Sequence, residues 1–153
     1  NNINNKGEKM ENKKVLKKLL ADTYVLYLKL QNFHWNIKGP KFRELHLMFE
    51  EQYTEINVAI DEIAERITTL GDVAPGTFKQ FLELSTINQN EELPNNTDEM
   101  LKELIKAHNI VSETCLNGIK VFEEQNDPVT VDLFTGRASV HQKFNWMFKS
   151  ILE

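Results

Sequence analysis

Residues 46–66 read HLMFEEQYTEINVAIDEIAER, and the way these side chains distribute around a helix decides the fold. At 100° per residue, Phe42, Leu45, Phe49, Ile56, Ile60, Ile63 and Ile67 form one apolar stripe, the mark of a helix that packs along its whole length. Glu44, Glu51, Glu55, Glu62 and Arg66 gather on the opposite side, as a solvated face requires. Between the two lies a third sector in which His46, Glu50, Asp61 and Glu65 alternate with Leu47, Thr54 and Val58. Titratable groups interleaved with apolar ones fit neither a core nor a solvated face.

Working outward, Leu16, Leu20, Tyr27, Leu30 and His34 share a face, so a first helix starts near Lys13 and closes at Gly39-Pro40. The second helix runs from about Pro40 to Leu70, where Gly71 stops it. A connection of about 26 residues follows, with one short helical candidate at Phe78–Leu84. Asn96 and Glu99 form a capping box that opens a third helix ending near Glu124. Asp127-Pro128 caps a fourth, which carries Val131, Phe134, Val140, Phe144, Met147 and Phe148. So long a connection carries the chain along a bundle and starts the third helix parallel to the second. The expected fold is therefore all-α: a ferritin-like four-helix bundle over 12–153, with a long crossover bearing a short helix. The Asn-rich residues 1–11 lack apolar periodicity and read as a disordered extension, within which Met10 is an alternative start.

Composition sets outer limits. With 153 residues, 41% hydrophobic and 27% charged, the chain suits a single globular domain with its own core. No apolar run approaches the roughly 18 residues of a membrane span, and no secretory pattern opens the sequence, so the expected location is the cytoplasm. The single cysteine, Cys115, reads as a small buried hydrophobe rather than a nucleophile. The net charge of −5 hides an asymmetry: Lys6, Lys9, Lys13, Lys14, Lys17 and Lys18 outweigh Glu8 and Glu11 in residues 1–18, leaving −9 on the rest. An acidic body repels nucleic acid and draws cations, while a lysine-containing tail offers DNA only a weak, salt-sensitive contact.

The third sector carries the chemistry. His46 and Glu50 are spaced i, i+4, so both reach one ion, and Asp61 with Glu65 repeats that geometry. The pairs are 15 residues apart, roughly 22 Å along a helix, too far to share a metal within one chain. Antiparallel pairing of this helix with its copy about a two-fold axis sets His46 and Glu50 against the partner copy's acidic pair, twice over. The turn at Gly39-Pro40 folds the first helix back so that His34 approaches His46. Two imidazoles with three carboxylates suit Fe(II) and also admit Zn or Mn. A di-iron site inside the bundle uses Glu-x-x-His motifs, and this sequence has none. The plainer reading of the sector is a polar dimer interface without metal.

Taken together, FHWNIKGPKFRELHLMFEEQYTEINVAIDEIAERI (33–67), LGDVAPGTFKQFLE (70–83) and HQKFNWMFKSIL (141–152) resemble the Dps family of mini-ferritins. The resemblance implies a hollow homo-dodecamer whose two-fold interfaces build ferroxidase centres. It implies oxidation of Fe(II), preferentially by hydrogen peroxide, storage of ferric oxide, and protection from oxidative damage. By position, His34, His46 and Glu50 ligate from one subunit and Asp61 and Glu65 from its neighbour. Glu50 stands where many members carry aspartate, which keeps the charge and lengthens the reach. Trp35 falls beside the centre as an electron source, and Glu123, Asp127 and Asp132 fall where acidic pores admit iron. DNA compaction is the alternative activity that the resemblance suggests, acting through the tail. His108 and His141 match no motif position and read as structural.

Overall fold

The computed structural model describes residues 2–153, with side chains from Asn12 onward. Five helices follow one another: α1 Asn2–Asn36, α2 Phe42–Thr69, α3 Phe78–Leu84, α4 Thr97–Glu124 and α5 Pro128–Leu152. Among the described residues there is no strand. The first helix begins at Asn2 rather than near Lys13, since no proline interrupts that stretch. The extension expected over 1–11 falls almost wholly on residues whose side chains lie outside those described.

Each connection has a local cause. Gly39, at φ +109°, turns the chain after α1, and its carbonyl accepts from the Phe42 amide. Gly71, at φ +85°, ends α2. Asp127 accepts from the Thr130 amide at 3.0 Å with Pro128 in the first turn, as the sequence predicts. The capping box does not form where expected. Asn96 accepts from the Glu99 amide, but Glu99 pairs with Lys102 at 3.0 Å instead of reaching back. The complete box is at Thr77 and Gln80, opening α3.

Cross-helix bonds fix the directions. Lys18 reaches Thr114 and Lys29 reaches Glu103, so α1 and α4 run antiparallel. Glu55 pairs with Arg137 and Arg66 with Asp127, so α2 and α5 do the same. With α1 and α2 joined by a tight turn, α2 and α4 are parallel, and residues 70–96 form the crossover. The Asp22 carboxylate, wholly buried, holds that crossover by accepting from Ser85 Oγ at 2.8 Å, the Thr86 amide at 2.7 Å and Lys18 Nζ at 2.6 Å. The core fills with Leu19, Leu26 and Leu30 of α1, Phe49, Ile56 and Ile63 of α2, Leu104 and Val111 of α4, and Phe134 and Phe148 of α5. Phe42, expected in this stripe, is 43% exposed; it is the first residue of α2 and stacks on His46.

Candidate metal centre

His34 closes α1 and His46 lies in the second turn of α2, so the Gly39-Pro40 turn brings them face to face. Their rings stack with centroids 3.7 Å apart and planes 11° from parallel. Each Nδ1 lies against the other residue's backbone carbonyl, at 2.6 Å for His34 and 2.7 Å for His46. A carbonyl only accepts, so both Nδ1 atoms carry hydrogen and donate, which leaves Nε2 as the ring nitrogen available to a metal. A histidine that ligates a metal is oriented in just this manner. Phe42 stacks on the outer face of His46 at 4.9 Å, and Tyr53 meets His34 edge-on at 5.3 Å. Glu50 is exposed on the same face as His46. Burial first, then the Glu50 carboxylate and Tyr27, push the Tyr53 phenol above its ordinary range.

Asp61 and Glu65 are exposed farther along α2. Among the described residues, no three potential ligands come together within one chain. The candidate ligands therefore fall in two separate groups, His34 of α1 with His46 and Glu50 of α2, and Asp61 with Glu65 farther along α2. Between and beside them Leu47 is 45%, Val58 59% and Trp35 62% exposed, an apolar surface of the kind an interface covers.

Of the three acidic residues read as pore candidates, Glu123 and Asp132 are exposed. Asp127 is engaged within the chain: it caps α5, accepts from Thr130 Oγ1 at 2.5 Å and pairs with Arg66 at 3.4 Å. Burial works to raise its carboxyl, but the two Thr130 bonds and the Arg66 charge outweigh that and hold it below the ordinary range. Glu55 and Arg66, expected on a solvated face, instead tie α2 to α5.

The ferritin-like domain family matches residues 13–153. DNA protection during starvation protein 2 of Bacillus anthracis is 38% identical over 138 residues, covering 90% of this chain and 94% of that protein. The crystal structure of Dps from Staphylococcus aureus superposes with a TM-score of 0.89 at 37% identity, covering 94% of this chain and 96% of that one. The chain belongs to the Dps family of ferritin-like proteins. A Vibrio cholerae Dps structure, described as a member of a broad superfamily of ferritin-like diiron-carboxylate proteins, matches with a TM-score of 0.90 at 28% identity, over 96% of this chain and 92% of that one.

In this Dps chain the bundle interior holds a feature that sequence reading missed. Arg137 Nη2 donates to His141 Nε2 at 3.0 Å, His141 Nδ1 to His108 Nδ1 at 2.8 Å, and His108 Nε2 to Gln52 Oε1 at 2.9 Å. Because the guanidinium only donates and the amide oxygen only accepts, one direction of hydrogen bonding runs through both rings. Burial, with the Arg137 charge, lowers His108 to about 3. Burial, then His108 and Arg137, holds His141 well below its usual value. Both nitrogens of each ring are engaged, so the pair is structural. The one available signal was Gln52, a polar residue placed between Phe49 and Ile56 on the apolar side of α2. Cys115 is buried in the same core, which pushes its thiol up to about 12 and leaves it inert.

Proposed function

We propose that this protein is a ferroxidase and iron store, oxidising Fe(II), preferably with hydrogen peroxide, at centres shared across a two-fold interface. The reciprocal clasp of His34 and His46 carries this reading, because it fixes both rings through Nδ1 before any ion arrives and leaves each Nε2 outside those bonds. Here Fe(II) is the substrate. His34, His46 and Glu50 bind it from one subunit; Asp61 and Glu65 bind it from the other. Two Fe(II) ions each give one electron to peroxide, which takes two protons and leaves as two waters without releasing hydroxyl radical. Trp35, beside His34, stands as an auxiliary electron source. The twelve-subunit shell, entry of iron through acidic pores at Glu123, Asp127 and Asp132, the globular unit over 12–153 and a cytoplasmic setting belong to the same reading.

The test is anaerobic Fe(II) loading followed by a peroxide pulse, comparing the native protein with Asp61→Ala, Glu65→Ala. The expected result is fast ferric absorbance at one peroxide per two Fe(II), lost in the double variant. Equal, slow oxidation in both proteins would remove the site assignment.

DNA binding is the second reading, supported by the relative named for DNA protection. The described residues supply little for it. Lys17 and Lys13 pair with Asp72 at 3.2 and 4.0 Å, and Lys18 is spent on Asp22, so half of the lysines in residues 1–18 already have carboxylate partners.

A further inference from the structure

All three tyrosines of the chain lie in one row that begins at the candidate centre. Tyr53 meets His34 at 5.3 Å, Tyr27 meets Tyr53 at 5.9 Å, and Tyr24 meets Tyr27 at 5.9 Å, each edge to face. The row continues under the crossover, where Tyr24 stacks on Phe81 at 4.8 Å. Every ring is half-buried between α1 and α2 or α3, and Gln31 Nε2 donates to the Tyr27 hydroxyl at 3.1 Å. The fully buried aromatic positions elsewhere, Phe49, Phe122, Phe134 and Phe148, take phenylalanine. Packing alone gives no reason to reserve every phenol for one seam, because phenylalanine fills the same volume without a hydroxyl to satisfy.

Phenols are the side chains, after indoles, that most readily give up one electron, and rings in contact exchange electrons far faster than separated ones. We propose that Tyr53, Tyr27 and Tyr24 form an electron relay that serves the centre when peroxide meets a single bound Fe(II). This rests on the ferroxidase reading above. Peroxide needs two electrons for its O–O bond to break into two waters. One Fe(II) supplies only one, and the balance otherwise leaves as hydroxyl radical. With the relay, Tyr53 supplies the second electron. Its phenolic proton and one proton from solvent complete the two waters, leaving Fe(III) and a neutral Tyr53 phenoxyl radical. An electron and proton from Tyr27, then from Tyr24, move the radical inward, away from the ligands. An Fe(II) ion that binds later returns one electron, and with a solvent proton restores the phenol. The net stoichiometry stays at two Fe(II) per peroxide.

The experiment uses the full chain, loaded anaerobically with one Fe(II) per centre, mixed with one peroxide and frozen at successive times for electron paramagnetic resonance. Ferric absorbance is followed on the same samples. The expected signal is an organic radical that narrows when ring-deuterated tyrosine is incorporated, and that largely disappears when two Fe(II) per centre are supplied. Tyr53→Phe, with unchanged melting, loses most of that signal, whereas Tyr24→Phe keeps its early amplitude and changes its later lineshape. A radical insensitive to tyrosine deuteration but sensitive to tryptophan deuteration would assign the role to tryptophan and overturn the relay. An unchanged signal in Tyr53→Phe would overturn it as well. Absence of ferric product in the native protein would remove the ferroxidase reading, and the relay with it.

Discussion

At the scale of single residues, the clasp between His34 and His46 is the feature on which the proposed iron oxidation turns. Each ring is oriented by a carbonyl of the other's backbone, which alanine retains, so removing one side chain takes away one imidazole donor and its stacking contact while the other ring keeps its hydrogen bond. His34→Ala and His46→Ala are each expected to weaken Co(II) binding, followed by its visible absorption, by about tenfold or more. Equal affinity in both variants would place the metal elsewhere. The buried imidazoles give a prediction of opposite character. His108 and His141 are neutral in the folded state, whereas in the unfolded chain they protonate near 6.5. Their folded values are depressed, so the unfolded state binds more protons below that pH. Stability is complete above about pH 6.5 and falls on acidification toward 3, by about 1.4 kcal/mol per pH unit for each ring. Urea midpoints measured between pH 7.5 and pH 5 check this, with a flat profile as the contrary result.

At the scale of elements, helix periodicity carried most of the information. The α2 stripe, the stop at Gly71, the Asp127-Pro128 cap and the short α3 are all legible in the sequence, because each is set by neighbours within a turn or two. What was not legible depends on register between helices. Glu55 reads as a solvated acid until Arg137, 82 positions away, comes to meet it. Gln52 and His108 look like isolated polar intrusions until they face each other across the bundle. The His34 and His46 half of the candidate site was legible because one short turn joins it. Its reciprocal carbonyl bonds were not, since they depend on the exact angle of that turn. Gly118 shows the same limit. Glycine inside a helix is ordinarily improved by alanine, by about 1 kcal/mol. Here an added Cβ would come within 2.5 Å of the Phe134 ring, itself fully buried and packed on Phe122. Gly118→Ala is therefore expected to destabilise, by about 1–3 kcal/mol in chemical unfolding, because overpacking exceeds the propensity gain.

At the scale of the whole molecule, the ferroxidase reading requires association, because neither half-site holds enough ligands alone. Val58 lies on the same face, between Glu50 and Asp61, and is 59% exposed in the single chain. If copies pair antiparallel about this helix, Val58→Lys sets like charges against one another at the two-fold axis. The expected outcome is a smaller species by light scattering, unchanged helical content by circular dichroism, and loss of fast iron oxidation together with assembly. An intact assembly that still oxidises iron would show that this face is not the one shared.

The buried carboxylate of Asp22 has a consequence for how the bundle holds together. By gripping Ser85 and Thr86 it anchors the crossover partway along, so only residues 87–96 remain as a span between that anchor and α4. The protein is thus two interlocking hairpins, α1–α2 carrying α3 as a strap, and α4–α5. Lys18 bolts them together through Asp22 on one side and Thr114 on the other. A chain cut within that span loses covalent continuity and keeps its fastening, so the two pieces are natural halves for fragment complementation.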